Sequence, residues 1–172
     1  MSWIQNGANH ANTAGIEHLD GLYSYALFLA RNHAETEDLV QETYVRAMQA
    51  MSRLRQDSNI KGWLFTILRN VWLNQLRRRR SDPQLVDVDV EAAAGLAALT
   101  KSSYDLYVSK LEKEQVQAAI QKLPLELREI ILLREYEEFS YQEIASVLNC
   151  PAGTVMSRLG RARTKLRTLL QR

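Results

Sequence analysis

Ser140-Tyr-Gln-Glu-Ile-Ala-Ser-Val-Leu-Asn-Cys-Pro-Ala-Gly-Thr-Val-Met-Ser-Arg-Leu-Gly-Arg-Ala-Arg-Thr-Lys-Leu-Arg-Thr-Leu-Leu170 reads as two helices joined by a tight turn. Ser140 with Glu143 forms a capping box, in which the hydroxyl takes the Glu143 N–H and the carboxylate returns to the Ser140 N–H. Ile144, Ala145 and Leu148 then make a short apolar face. Asn149-Cys150 suits the end of that helix, and Pro151 suits the first turn of the next, where a missing N–H costs nothing. Val155, Leu159, Ala162, Leu166 and Leu169 recur at spacings of four and three, which makes one buried stripe. From Gly153 onward the chain carries Arg158, Arg161, Arg163, Lys165, Arg167 and Arg172 and no acid. A short helix, a turn, and a helix apolar on one face and basic on another is the layout of a helix-turn-helix. A solvated charged hairpin is the plainer alternative. The coincidence of capping box, turn proline, apolar stripe and absent acids favours DNA binding.

Working outward, the 172 residues carry 22 basic and 20 acidic side chains, so net charge says little and its distribution says more. Between Arg53 and Arg80 stand Arg53, Arg55, Lys61, Arg69, Arg77, Arg78, Arg79 and Arg80 against Asp57 alone. Acids gather instead in 35–42, 82–91 and 126–138. Two basic segments separated by acidic ones suggest two contact surfaces. Cys150 is the single cysteine and the three histidines, His10, His18 and His33, show no ligand spacing, so neither a disulfide, a metal site nor a cofactor is expected. There is no apolar run of membrane-spanning length and no charged-then-apolar leader, so a cytoplasmic protein with no membrane insertion is expected.

Residues 1–18 are polar and weakly patterned, a loose lead-in. One helix is expected from Leu19, with Leu22, Ala26, Leu29 and Ala30 on its apolar face and Tyr23, Tyr25 and Phe28 around it. A second runs from Glu35 to Met51 with Leu39, Val40, Tyr44, Ala47 and Met48 at helical spacing. After the polar break Leu54–Asn59 a third runs from Ile60 to about Arg80, lined by Trp63, Leu64, Ile67, Leu68, Val71, Trp72 and Leu76. Core packing is expected to take most of the Trp63 and Trp72 surface, although an exposed aromatic beside Arg and Asn can stack on an unpaired base. Ser81-Asp-Pro83 stops this helix, and residues 84–103, acidic and then alanine-rich, read as a linker. Helical spacing returns at Tyr104, Val108, Leu111, Ile120 and Leu123, and Pro124 starts a helix with Leu127, Ile130, Ile131 and Leu133 inside. No stretch alternates with period two. The expectation is an all-α chain of two small helical domains, 19–83 and 104–172, joined by a flexible acidic linker at 84–103.

In combination these segments resemble a bacterial RNA polymerase sigma factor of the extracytoplasmic-function (ECF) group. The resemblance rests on Asp38-Leu-Val-Gln-Glu-Thr-Tyr-Val-Arg46, on Trp63-Leu-Phe-Thr-Ile-Leu-Arg-Asn70 with Asn74 to Arg80, and on Leu123-Pro-Leu-Glu-Leu-Arg128, Phe139–Ala145 and Pro151–Arg158. It implies a non-enzyme that gives core RNA polymerase its promoter specificity.

The first segment implies docking on the clamp helices of the polymerase largest subunit through Asp38, Leu39, Gln41, Glu42, Tyr44 and Arg46, with the flap as a further polymerase contact. The second implies recognition and opening of the minus-ten element. Leu54, Arg55, Asp57, Ser58 and Asn59 would form the pocket for a flipped base, and Lys61, Trp63, Arg69, Asn70, Asn74, Arg77 and Arg78 the neighbouring DNA contacts. Arg79 and Arg80 would join the phosphate contacts. Many relatives carry Asp at the position of Asn74. The third implies reading of the minus-thirty-five element in the major groove by Met156, Ser157, Gly160 and Arg161. Arg134, Thr154, Arg158, Arg163 and Lys165 would lie at phosphates or base edges.

The linker would thread toward the RNA exit path, and an anti-sigma factor is a candidate partner. A dimeric helix-turn-helix regulator and a protein-interaction adaptor are the alternatives. The polymerase-like segment at 38–46 followed by 70–80 counts against both.

Overall fold

The computed structural model describes residues 16–55, 58–81 and 103–171, with the backbone alone over 103–111. Asp57, the lead-in before Ile16 and the linker before Ser103 lie outside the described residues, as do the side chains of Tyr104, Val108 and Leu111. The described residues form helices joined by turns and short loops, with no strand, and they divide into two units.

The first unit packs α1 (Leu19–Ala30), α2 (His33–Ala50) and α3 (Ile60–Ser81) pairwise against one another. Arg31, at φ 62°, ends α1 in the left-handed conformation, its N–H returning to the Leu27 carbonyl. Asn32 then caps α2, its side-chain oxygen accepting from the Glu35 N–H at 2.8 Å. This two-residue junction reverses the chain so that α2 packs back on α1. The core comprises Leu22, Tyr25, Ala26 and Leu29 from α1, Leu39, Val40 and Ala47 from α2, and Leu64, Phe65, Leu68 and Val71 from α3. At its centre the Tyr25 and Phe65 rings stack with centroids 5.2 Å apart. Thr36 and Thr43 are fully buried too, and each hydroxyl donates to a carbonyl one turn back, Asn32 and Leu39.

The helical periods are those expected from the sequence, but their phases differ in places. Phe65 lies in the core, whereas Trp63, Ile67, Trp72 and Leu76 are only half-buried. Met48, which shares the helical spacing of the apolar residues of α2, is 64% exposed.

The second unit holds α4 (Ser103–Gln121), α5 (Leu125–Ile131), a π-helical segment (Leu132–Tyr136), α6 (Tyr141–Leu148) and α7 (Ala152–Leu170). α7 packs on both α4 and α5. Buried Arg128 ties the end of α4 to α5. Its Nε and Nη2 donate to the Leu123 carbonyl at 3.4 and 3.2 Å, and its Nη1 to Gln121 Oε1 at 2.9 Å. A guanidinium there also complements the negative end of α4.

Two residues beyond the π segment Glu138 takes φ 58°, and the Phe139 N–H reaches back to the Leu133 carbonyl. The Ser140–Glu143 capping box forms as expected, at 2.7 and 3.2 Å. Asn149 ends α6 at φ 50°, a conformation that asparagine tolerates well. Pro151 precedes α7 rather than entering its first turn, and its carbonyl accepts from Thr154 and Val155. Val155, Leu159 and Ala162 are buried, and Leu166 and Leu169 half-buried.

Because Phe65 fills the middle of the three-helix core, Phe65→Ala should cost about 3–5 kcal/mol. Urea unfolding followed by tryptophan fluorescence tests this, since Trp63 and Trp72 both sit on the affected helix.

Candidate nucleic-acid and polymerase interfaces

On α3 the burial of Leu64, Phe65, Leu68 and Val71 turns the opposite face outward. Trp63, Asn70, Asn74 and Arg77 follow one another along that face at helical repeats. Asn70, Asn74 and Arg77 are exposed, Trp63 is half-buried, and Arg77 Nη1 lies 3.5 Å from Asn74 Oδ1. The strip is about 21 Å long at the helical rise, and its far end carries Arg77 and the exposed Arg78 and Arg80. Arg79 points elsewhere, to Glu35 on α2 at 3.0 Å. Of the expected arginine run, Arg79 is therefore a brace between helices in the free protein.

The loop before α3 is held by its own backbone. The Leu54 N–H donates to Met51, and the Ser58 N–H to Arg55. Leu54 and Ser58 are half-buried and Arg55 exposed. Asn59, expected at DNA, caps α3: its Oδ1 accepts from the Gly62 N–H at 2.9 Å and its carbonyl from the Trp63 N–H. A Cβ at position 62 would come within 3.3 Å of the Asn59 side chain, so glycine there gives the cap room. Lys61 is half-buried with its ammonium 6.0 Å from the Phe65 ring centroid, and Arg69 is half-buried.

On α2 the outward face carries Asp38, Gln41, Glu42, Val45 and Met48. Arg46 Nε donates to Glu42 Oε1 at 2.6 Å, both side chains 42% exposed. Leu39 corrects the expectation, because it is fully buried in the core and cannot touch a partner. The apolar part of this face is instead Val45, 43% exposed, and Met48, beside half-buried Tyr44. Burial raises the Tyr44 phenol above its ordinary pKa. Val45 was missed because one apolar residue in a charged run carries no periodic signal.

On α7 the residues fall into an outer face and two flanks. The outer face presents Gly153, Ser157, Gly160, Arg161 and Thr164. A Cβ at Gly153 or Gly160 would meet nothing within 4 Å, so packing within the described protein requires neither glycine. Arg161, Lys165 and Arg167 are exposed and make no ion pair among the described residues. One flank carries Arg158, its side chain 20% exposed and 3.3 Å from Glu126 on α5. The other carries Met156, 53% exposed, and Arg163, 2.8 Å from Glu135 in the π segment. The hydrogen bond to Glu135 raises the Arg163 pKa further above its ordinary value.

Thr154 is half-buried and its carbonyl accepts from the exposed Ser157 hydroxyl at 3.1 Å. Arg134, expected at DNA, is engaged in the fold. Its Nη1 donates to the Phe139 carbonyl at 2.7 Å, and its guanidinium lies 5.1 Å from the Tyr141 ring centroid.

A family model of Sigma-70 region 2 matches residues 16–81, which is the first unit with its two exposed strips. A model of Sigma-70 region 4 matches residues 113–166, which contain α5, α6 and the outer face of α7. The ECF RNA polymerase sigma factor EcfG of Rhodopseudomonas palustris is 40% identical over 149 residues, covering 87% of this chain and 78% of that relative. The chain belongs to the ECF sigma-factor family. RNA polymerase sigma-H factor of Pseudomonas aeruginosa is 36% identical over 80% of this chain and 74% of its own length.

Among solved structures, the sigma factor RpoE bound to the anti-sigma factor NepR from Bartonella quintana superposes with a TM-score of 0.73. It is 32% identical, with 93% of this chain and 96% of that one covered. CnrH in complex with the cytosolic domain of CnrY gives 0.66 at 26% identity, over 95% of this chain and 89% of that one. As an ECF sigma factor the protein directs transcription initiation, and its helical units are those of regions 2 and 4. No described helix is long and apolar enough to cross a membrane, and no metal-ligand cluster occurs among the described residues.

Asn59 is a cap before it is anything else. Asn59→Ala should lower stability by about 1 kcal/mol in the absence of DNA, read as a reduced urea midpoint. An unchanged midpoint would return Asn59 to a pure contact role.

Proposed function

We propose that this sigma factor reads the minus-thirty-five element by laying the N-terminal half of α7 in the major groove, with Met156, Ser157, Gly160 and Arg161 at the base edges. Arg158, Arg163 and Lys165 flank that face and meet phosphates, together with Thr154 at the start of the helix. The observation that carries this reading is the split of α7 into a buried stripe and a solvent-facing side on which Arg161, Lys165 and Arg167 make no ion pair among the described residues. Guanidinium can pair two ways with guanine, and the hydroxyl of Ser157 can donate or accept. The open glycines leave the helix backbone free to approach the groove closely.

In the same reading the first unit opens the minus-ten element. The strip Trp63–Asn70–Asn74–Arg77, with Arg78 beside it, meets the separating strands. Asn70 presents both a donor and an acceptor to a base edge, and the half-buried indole offers a surface for stacking. The loop 54–59 forms the pocket for an extruded base, whose binding must offset a few kcal/mol of lost stacking. Asn59 serves that pocket chiefly by fixing the start of α3.

The outward face of α2 docks on the clamp helices of the polymerase largest subunit through Asp38, Gln41 and Glu42 around Val45, Met48 and Tyr44. An apolar centre with a polar rim suits a protein partner. The region 4 unit reaches the flap, and the segment 84–103 tethers the two domains, 19–83 and 104–172. The polymerase supplies the chemistry. The two solved relatives in complexes, one with an anti-sigma factor and one with CnrY, support an anti-sigma partner for this chain as well.

Reconstitution with sigma-free core polymerase, followed by sequencing of bound genomic fragments, tests the whole reading. A stoichiometric complex enriching two-part promoters is expected. A dimer footprint on a palindrome without polymerase would overturn it. The double variant Asp38→Ala/Glu42→Ala should lose co-elution with core while its circular dichroism is unchanged. Arg161→Ala should cost about 1–3 kcal/mol of promoter affinity and relax sequence preference at one position of the upstream element, measured by binding to a library of randomised upstream elements.

A further inference from the structure

The two arginines on the flanks of α7 are each held by a carboxylate that does not come from α7. Glu126, on the first turn of α5, reaches Arg158, and Glu135, in the π segment, reaches Arg163. The pairs lie on opposite flanks of the helix, on either side of Ser157, Gly160 and Arg161. A helix seated in the major groove has phosphates along both flanks, so these arginines stand where phosphates would arrive. Glu126 is 68% exposed and Glu135 48%, and such exposed pairs are weak and exchangeable. A phosphate offers guanidinium the same paired-oxygen geometry as a carboxylate.

We infer that Glu126 and Glu135 compete with DNA phosphates for Arg158 and Arg163, and thereby suppress binding to sequences that offer no base contacts. The inference rests on the reading that α7 enters the major groove. In the free protein each carboxylate neutralises one flanking cation, so the electrostatic attraction common to all duplexes falls by two charges. At a correct site the contacts of the outer face hold the helix in register, and phosphates displace the carboxylates. At a wrong site nothing compensates for that exchange. Arg161, Lys165 and Arg167 keep their charge throughout. Glu126 and Glu135 thus hold down electrostatic DNA binding without touching a base.

The test uses holoenzymes assembled from one core polymerase and the full-length wild-type, Glu126→Gln, Glu135→Gln, doubly substituted or Glu114→Gln chain. Glu114 is exposed on α4 and makes no ion pair among the described residues, so it controls for net charge. Binding to a promoter duplex and to a scrambled duplex is measured across a salt series. On the scrambled duplex each substitution at 126 or 135 should steepen the log K against log salt slope by about 0.9, the value for one further phosphate neutralised. The promoter slope, where phosphates already displace the carboxylates, should stay nearly the same. Scrambled-duplex affinity should rise several-fold at low salt, and promoter affinity should rise as well, because the carboxylates no longer have to be displaced there.

An unchanged scrambled-duplex slope, weaker binding to both duplexes, or an equal effect of Glu114→Gln would each overturn the inference. Wild-type holoenzyme that failed to prefer the promoter would instead count against the groove reading itself. Circular dichroism of each variant separates loss of fold from a change in DNA affinity.

Discussion

Val155, Leu159 and Ala162 on α7, and Leu64, Phe65, Leu68 and Val71 on α3, leave water together, and that burial decides what each helix offers to a partner. A helix that commits one stripe to a core has no choice about the direction of the residues opposite. The Trp63–Arg77 strip and the basic face of α7 follow from this constraint, as does the outward face of α2 once Leu39, Val40 and Ala47 are inside. The chemistry presented outward differs among the three: amide and guanidinium on α3, bare backbone and cations on α7, acids around Val45 and Met48 on α2. A single packing rule therefore yields three surfaces suited to three different contacts.

Around these helices, polar groups act mostly as fasteners. Asn32 and Asn59 start helices, the Ser140–Glu143 box starts α6, and Arg128 closes the end of α4 on the Leu123 carbonyl. Arg134 joins the π segment to the beginning of α6 through Phe139 and Tyr141. These bonds sit at the junctions between helices, where backbone groups would otherwise lack partners. Precision at the junctions matters because a helix can present its outer face usefully only if its axis is fixed. Residues that resemble ligand contacts by type can serve recognition indirectly, by holding the contacting helix in place.

Much of this was legible from residue order. The helices, their approximate limits, the capping box, the ending of α6 at Asn149 and the stripe on α7 all follow from local pattern, since each depends on residues within a few positions. The errors share one origin. Phe65 lies inside and Met48 outside because a three-helix core selects a phase for each helix from its neighbours' side chains, and periodicity alone leaves that phase uncertain by a residue. Leu39 belongs to the segment that carries the docking resemblance, yet its own side chain completes the core. The π segment at 132–136 inserts an extra residue into a turn, and no local propensity signals that.

The amino-acid sequence by itself determined that the chain is helical, that it carries two basic segments, and that it resembles an ECF sigma factor, because these are properties of composition and short-range spacing. Only the tertiary structure decided which cations remain available. Arg163 and Glu135 are separated by 28 positions, and Arg79 meets Glu35 from the far end of another helix. Arg161 and Arg163 look equivalent in sequence, yet one faces solvent and the other a carboxylate. Ion pairing depends on distance in space, and the packing of α7 against its neighbours sets that distance.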